Sequence, residues 1–161
     1  MDSAEFKKKL TTVVTVAVVL FFANILISNL IEARADSFEV KFLSENIFLQ
    51  PVKNFGFAFS IPLDLKIIFI VSFLTLAVIA WTFFKYLLSE AYILSFAFGL
   101  ISGGALANFY ERLTNGFVWD YLHLQIYGLN GAWNVADLGI IFGMLTWIIG
   151  LALHHYTAHW H

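Results

Sequence analysis

Four long apolar stretches, separated by shorter polar segments, dominate the pattern of hydrophobic and polar positions. They cover residues 10–31, 65–84, 91–110 and 132–153. Each is close to the roughly 20 residues that a helix needs to cross a hydrocarbon core about 30 Å thick. The pattern therefore predicts four membrane-spanning helices.

A second kind of pattern lies between the first two stretches. Polar and apolar residues alternate strictly over residues 37–42, and an alternation with aromatic residues on one side runs over residues 54–60, after Pro51. Alternation with a period of two is typical of a half-exposed strand. We therefore expect an all-α membrane protein with a small sheet on the membrane surface, formed by one domain over residues 1–161.

The composition supports a membrane protein. Hydrophobic residues make up 60% of the chain and charged residues 12%, whereas soluble domains are about 45–50% apolar and about 25% charged. The absence of cysteine excludes disulfides, thiolate metal sites and a cysteine nucleophile. No basic stripe suits nucleic acid. We expect no cofactor and no metal.

The first apolar stretch has a basic start at Lys7, Lys8 and Lys9, as a secretory signal peptide would. Its apolar run is longer than the about 7–15 residues of a signal-peptide core, so we interpret it as a retained helix. The three lysines place the amino terminus in the cytoplasm. With four spans, the link at Lys85 and the carboxyl terminus are also cytoplasmic, and residues 32–64 and 111–131 are external.

This topology places Asp120 and Asp137 at the same external edge, although the chain is otherwise very apolar there. Ionisable groups at such a boundary are costly and usually functional. Asp120 is either a solvated loop charge or cap, or a partly buried carboxyl whose pKa rises because of its apolar neighbours. Two carboxyls meeting at this edge would share one proton and activate a water, as in aspartic proteases.

Asn134 and Asp137 are three residues apart and share a helix face. Asn134 could be only the N-cap of the fourth helix, with Asp137 a favourable charge in its first turn. Against this simple interpretation, Asp137 lies roughly 7 Å past Ala132 towards the hydrocarbon. Both alternatives stay open on the sequence.

Asn108 and Arg112 also share a helix face, four residues apart. Either their polar groups extend to water at a helix end, or they form part of a tight site. Four small residues among positions 103–107 permit close helix approach and favour the tight site.

Histidines offer weaker candidates. His123 is the one histidine on the external side, and no serine nucleophile motif surrounds it. His155 and His159 would share a face of a helix and could bind a metal, but a cytoplasmic tail without function is the simpler interpretation.

Three segments in the same order along the chain, residues 103–112, 116–121 and 133–137, closely resemble motifs of the lipoprotein signal peptidase (signal peptidase II) family. The family pattern is roughly G-G-A-L-G-N-x-x-D-R, then G-x-V-x-D-F, then F-N-x-A-D-S. Residues 54–59 resemble its N-x-G-x-A-F element. The length and the four spans also match, so the resemblance covers nearly the whole chain.

The resemblance implies an aspartyl endopeptidase of the bacterial inner membrane. Such enzymes cleave the signal peptide from prolipoproteins just before a diacylglyceryl-modified cysteine. By motif position, Asp120 and Asp137 correspond to the catalytic pair. The supporting polar residues correspond to Asn54, Asn108, Arg112 and Asn134. The expected partners are lipidated prolipoproteins and membrane lipid, and we expect a monomer with an external β-cradle.

The chain departs from the family pattern at several positions. The first helix of the family usually carries a D-Q-x-x-K element, but the corresponding stretch from Asn24 to Ser28 has neither charge. Glu111 stands where the family has aspartate, and Leu138 replaces a serine.

Two other classes of function compete with a peptidase. The first is a catalytically silent relative that binds lipoprotein precursors or lipids, which would have no need of two costly carboxylates. The second is a small proton-coupled carrier, against which the absence of inverted-repeat signs argues.

Overall fold

The computed structural model describes residues 2–56, 64–86, 92–126 and 129–158. Its helices are α1 (Ser3–Glu32), α2 (Leu65–Tyr86), α3 (Tyr92–Asn115) and α4 (Val135–Ala158), with a short 3₁₀ turn at Ala35–Ser37. Its strands are β1 (Lys41–Ser44), β2 (Ile47–Asn54), β3 (Val118–Ile126) and β4 (Leu129–Trp133). The chain therefore runs through α1, the first hairpin, α2, α3, the second hairpin and α4.

All four helices are long and apolar enough to cross a membrane. Large apolar side chains on their outer faces are exposed, such as Val19, Phe22 and Phe73, as expected for helices that face lipid rather than water. The predicted fold, a mostly helical membrane protein with four spans and a small sheet, is confirmed.

Helix α3 lies at the centre of the bundle and packs against the other three helices. Two adjacent glycines bring it close to neighbours on both sides. A Cβ at Gly103 would lie 2.6 Å from the carbonyl oxygen of Ala17 in α1, and one at Gly104 would overlap the carbonyl oxygen of Ala136 in α4. Small residues allow this backbone approach between membrane helices.

Within the described residues, the sheet has four antiparallel strands in the order β1-β2-β3-β4. The predicted strand over residues 37–42 is wrong in its position, because β1 begins only at Lys41. The chain first turns after α1, where the N–H groups of Ser37 and Phe38 donate to the carbonyls of Arg34 and Ala35. Backbone groups used in this turn are not available to a strand partner.

The second predicted strand, over residues 54–60, is also displaced. Strand β2 ends at Asn54, where the other strand was expected to begin. The Asn54 Oδ1 accepts the N–H of Gly56 at 2.9 Å, a local turn that ends the strand; residues 57–60 lie outside the described part of the chain. Pro51 lies inside β2, where the register shifts between Leu49 and Val52 and no ladder donor is required.

Half of the sheet, β3 and β4, was not expected from the sequence. Strand β3 lies between β2 and β4, and its first four residues, from Val118 to Tyr121, are all buried. Burial on both faces removes the alternation that marks a half-exposed strand. The pairing of β3 with β2 sets Asp120 opposite Val52, and so places this aspartate on a rigid strand.

The glycine contacts lead to a first prediction. Gly104→Ala should destabilise the protein by about 1–3 kcal/mol, because a Cβ at this position forces α3 away from α4. Thermal unfolding in detergent measures the effect. Ala77→Val, which adds bulk at an exposed position of α2, is the control and should change the melting temperature little. Equal melting temperatures for both variants would contradict the tight α3–α4 contact.

Candidate active site

Asp120 is almost fully buried, at 1% exposed, and each of its carboxylate oxygens has an amide donor. The side chain of Asn54 in β2 donates to Oδ2 at 2.8 Å. The side chain of Asn134, just before α4, donates to Oδ1 at 2.9 Å. The carboxylate is thus held between the sheet and the start of the last helix.

Asp137 lies in the first turn of α4. Its Oδ1 accepts the side-chain amide of Asn108 from α3 at 2.7 Å. Its Oδ2 accepts the backbone N–H of Asn134 at 3.2 Å, while its own backbone N–H donates to Asn134 Oδ1 at 2.8 Å. This reciprocal pair is the capping-box arrangement of a helix N-terminus.

Asn134 caps α4 and also contacts both aspartates, so the two alternatives that the sequence left open are compatible with each other. Its side-chain oxygen caps α4, and its side-chain nitrogen donates to Asp120 and, at 3.1 Å, to the side-chain oxygen of Asn108. Asn108 in turn donates to Asp137. A continuous chain of amide groups therefore connects the two aspartates, and Asn134 is completely buried within it.

Arg112, four residues after Asn108 on α3, is mostly buried and donates to backbone carbonyls. Its Nη1 lies 3.3 Å from the carbonyl oxygen of Asn108, and its Nη2 lies 3.2 Å from that of Gly56. Its Nε has no partner among the described residues. The six residues predicted for the site are thus together at one end of the bundle, and Arg112 contributes a charge and a donor that no other described residue uses.

A cavity of about 140 Å³ lies between α2, α3 and α4 beside these residues. Asn108, Arg112 and Asp137 line it, and Thr75 of α2 forms part of the opposite wall. Asp137 therefore faces open space, whereas Asp120 is enclosed between Asn54 and Asn134. The cavity can admit a small part of an extended chain next to Asp137.

Burial raises the pKa of Asp120 from its ordinary 3.8 to about 7. The negative charge of Asp137 contributes to this rise, and the amides of Asn54 and Asn134 and the charge of Arg112 oppose it. A carboxyl with a pKa near neutrality can hold or release a proton at the pH of the cell. This is the property that acid–base chemistry requires.

Several buried polar residues of the site were not predicted from the sequence. The Tyr121 hydroxyl accepts the first backbone N–H of α4, from Val135, at 3.1 Å, and burial raises its pKa to about 12, so it stays protonated. Asn24 and Ser28 of α1 both contact Glu111 of α3. Two polar residues four apart within an apolar helix were the available signal.

Two solved structures described as bacterial membrane enzymes, determined by the in meso method at 2.3 Å and 1.9 Å, share this fold. Their TM-scores are 0.75 and 0.70, each at 22% identity, and the match covers 88% of this chain and 88% and 92% of theirs. Fold and span pattern thus define a multi-pass membrane protein.

The family model for signal peptidase (SPase) II matches residues 15–153, and the chain belongs to this family. The family predicted from the three motifs is therefore confirmed, and the protein is a peptidase. Lipoprotein signal peptidases from Aquifex aeolicus (33% identity, 84% of this chain and 82% of the relative) and Caldicellulosiruptor bescii (30% identity, 79% and 84%) are similar to it. That of Streptococcus pneumoniae is 29% identical, over 89% of this chain and 94% of its own.

The raised pKa of Asp120 predicts a pH-dependent stability. Between pH 3.8 and about 7 the folded protein holds a proton that the unfolded chain releases, so the free energy of unfolding falls as pH rises through this window. Asp120→Asn removes this pH-dependent contribution to the free energy of unfolding. Its melting temperature relative to wild type should therefore rise from pH 5 to pH 7 and level off above. A difference that stays constant over this range would contradict a protonated Asp120 near neutral pH.

Proposed function

We propose that the protein is an aspartic endopeptidase of the bacterial inner membrane. It cleaves the signal peptide from diacylglyceryl-modified prolipoproteins before the lipidated cysteine. Membership of the signal peptidase II family and the similarity to lipoprotein signal peptidases support the substrate class. The observation that carries the aspartic mechanism is the pair of Asp120 and Asp137, joined through Asn134 and Asn108 beside a cavity.

The two carboxyls have distinct roles in this mechanism. Asp120 holds the proton of the pair at neutral pH, because burial and the neighbouring charge raise its pKa. Asp137 faces the cavity and, ionised, takes a proton from a water that attacks the scissile carbonyl carbon. Asp120 gives its proton to the carbonyl oxygen, which requires that binding of the substrate opens the enclosure formed by Asn54 and Asn134. When the C–N bond breaks, the leaving nitrogen receives the proton held by Asp137, and the hydroxyl of the intermediate returns a proton to Asp120.

The four other polar residues hold the pair and the substrate. Asn54 and Asn134 donate to Asp120, and Asn108 donates to Asp137. Arg112 has a buried Nε–H without a partner among the described residues, and it lines the cavity. We assign the guanidinium of Arg112 to a peptide carbonyl of the substrate, since it presents fixed donors that suit such contacts.

We also propose the membrane orientation, the domain extent and the oligomeric state of the protein. The site faces the external, periplasmic side, the termini lie in the cytoplasm, and residues 1–161 act as one membrane-embedded peptidase domain that works as a monomer. Lys7, Lys8 and Lys9 beside the first span support this orientation. The lipid-facing helices support access of the diacylglyceryl group from the bilayer.

The dyad predicts that neither aspartate can be replaced. Asp120→Asn and Asp137→Asn should each abolish cleavage of a diacylglyceryl-modified prolipoprotein while the fold survives. The double variant should be little worse than either single one, because residues that act as a unit are non-additive. Asp36→Asn, an exposed position in the 3₁₀ turn, is the control and should keep full activity.

Substantial cleavage by either single variant would refute the dyad. A wild-type protein that binds the lipidated precursor without cleaving it would instead favour the catalytically silent alternative.

Two variants separate the capping of α4 by Asn134 from its contact with Asp120. Asn134→Ser keeps a capping oxygen but is too short to bridge Asp120 and Asn108, whereas Asn134→Ala loses both functions. Both variants should lose cleavage, but only Asn134→Ala should also lose about 1 kcal/mol of stability from the cap. Activity and thermal unfolding of the same purified samples test this. Full turnover by Asn134→Ser would show that the bridge to Asp120 is not needed.

The orientation is testable because the chain contains no cysteine. Single cysteines at Ser37, Lys85 and Thr157 can be probed on intact cells with an impermeant thiol reagent. We expect Ser37→Cys to be labelled, and Lys85→Cys and Thr157→Cys to be labelled only after the membrane is opened. Labelling of Thr157→Cys on intact cells would contradict the proposed topology.

A further inference from the structure

A buried carboxylate outside the proposed dyad, that of Glu111 near the end of α3, is 2% exposed. Its Oε1 accepts the side-chain amide of Asn24 and the hydroxyl of Ser28, both from α1 and both at 2.6 Å. Its Oε2 accepts the backbone N–H of Trp119 at 3.0 Å. We call Asn24, Ser28 and Glu111 the Glu111 cluster.

The cluster reaches the residue immediately before each aspartate. Glu111 binds the N–H of Trp119, which precedes Asp120. Asn24 accepts the N–H of Ala136, which precedes Asp137, at 3.0 Å through its Oδ1. One connected set of side chains thus fixes the backbone on both sides of the site.

The chemistry of the cluster favours a carboxylate at position 111. The three donors to Glu111 are neutral, and they occupy both of its oxygens. An ionised carboxylate is acceptor-only, whereas a glutamine would turn an NH₂ group towards one of these donors. A buried ionisable group in a membrane helix is costly to keep. Replacement of buried charged groups by well-packed apolar residues is often neutral or stabilising, so stability alone does not explain why the cluster is present.

The cluster does not touch the space where a substrate would lie. The cavity beside Asp137 is walled by α2, α3 and α4, and none of the three cluster residues lines it. Asn24 and Ser28 belong to α1 and are themselves buried. The hydrogen bonds of the cluster therefore reach the two aspartates through the backbone of β3 and α4, and the charge of Glu111 also interacts with that of Arg112.

We propose that the Glu111 cluster is a positioning device that sets the separation and orientation of Asp120 and Asp137 by holding the N–H groups of Trp119 and Ala136. This inference rests on the proposed function, because it assumes that the two aspartates act as a pair. Asn24, Ser28 and Glu111 are positioning residues. They do not exchange a proton with the substrate and do not contact it.

The expected size of the effect follows from the geometry that a paired mechanism needs. A misplacement of about 1 Å can cost on the order of 100-fold in rate. Glu111→Gln and Asn24→Ala should therefore lower kcat by about 10- to 100-fold, while KM changes less than about threefold because the cavity wall is untouched. Ser28→Ala removes one donor of three and should have a smaller effect, about 3- to 10-fold on the same argument.

The experiment compares these variants with a matched control. Ser102→Ala also removes a hydroxyl from a membrane helix, one that donates at 2.6 Å to the carbonyl of Phe98 within α3, and should leave kcat unchanged. Full-length proteins in detergent are assayed with a diacylglyceryl-modified prolipoprotein. The kcat and KM per folded molecule are measured together with the melting temperature.

A pH profile adds a readout that a purely structural role would not move. Asn24→Asp keeps the oxygen that accepts the Ala136 N–H but places a second carboxylate against Glu111. A proton shared between the two carboxyls restores the lost hydrogen bond. The kcat of Asn24→Asp relative to wild type should therefore rise as pH falls, whereas the relative kcat of Asn24→Ala should stay low at every pH.

The outcomes separate this inference from the proposed function. If Asp120→Asn and Asp137→Asn are inactive but the three cluster variants keep kcat within twofold, and only their melting temperatures fall, the positioning role is wrong and the dyad stands. If either aspartate variant cleaves, both proposals fail. Should Glu111→Gln not be recovered from the membrane, Ser28→Ala and Asn24→Asp decide the question.

Discussion

The structure depends on one constraint: a carboxylate buried at the end of a membrane helix bundle needs a hydrogen-bond donor for each oxygen. Asp120, Asp137 and Glu111 all meet this constraint, and amide groups are their main donors. Amides suit this task because each carries both donors and an acceptor and adds no charge. Asn134, with the Asp120 contact on its nitrogen and the helix cap on its oxygen, uses both ends at once.

The arrangement of elements follows from where these donors must come from. No single helix can surround a carboxylate, so β2 supplies Asn54, α3 supplies Asn108, and the start of α4 supplies Asn134. The sheet thus serves as a rigid support for part of the site rather than as a surface decoration. Rigid elements hold such groups more accurately than loops do.

Much of this architecture could be predicted from the sequence, and the failures have physical causes. Apolar length alone predicts the four helices, and helical spacing brings Asn108 towards Arg112. Strand β3 escaped prediction because its first half is buried on both faces and does not alternate. The contacts of Glu111 with Asn24 and Ser28 join positions more than 80 residues apart, and no local pattern reports such pairs.

The close contacts on opposite sides of α3 at Gly103 and Gly104 limit which amino-acid substitutions the protein can accept. Backbone touches backbone there on both sides of α3, so the distances from α3 to α1 and α4 are fixed by the main chain and not by side-chain volume. Compensating exchanges of large and small side chains, the usual way in which cores drift, are not available at this level of the bundle. Adaptation to a thicker or warmer membrane must instead use the lipid-facing surfaces, where positions such as Val19 and Phe73 only have to remain apolar.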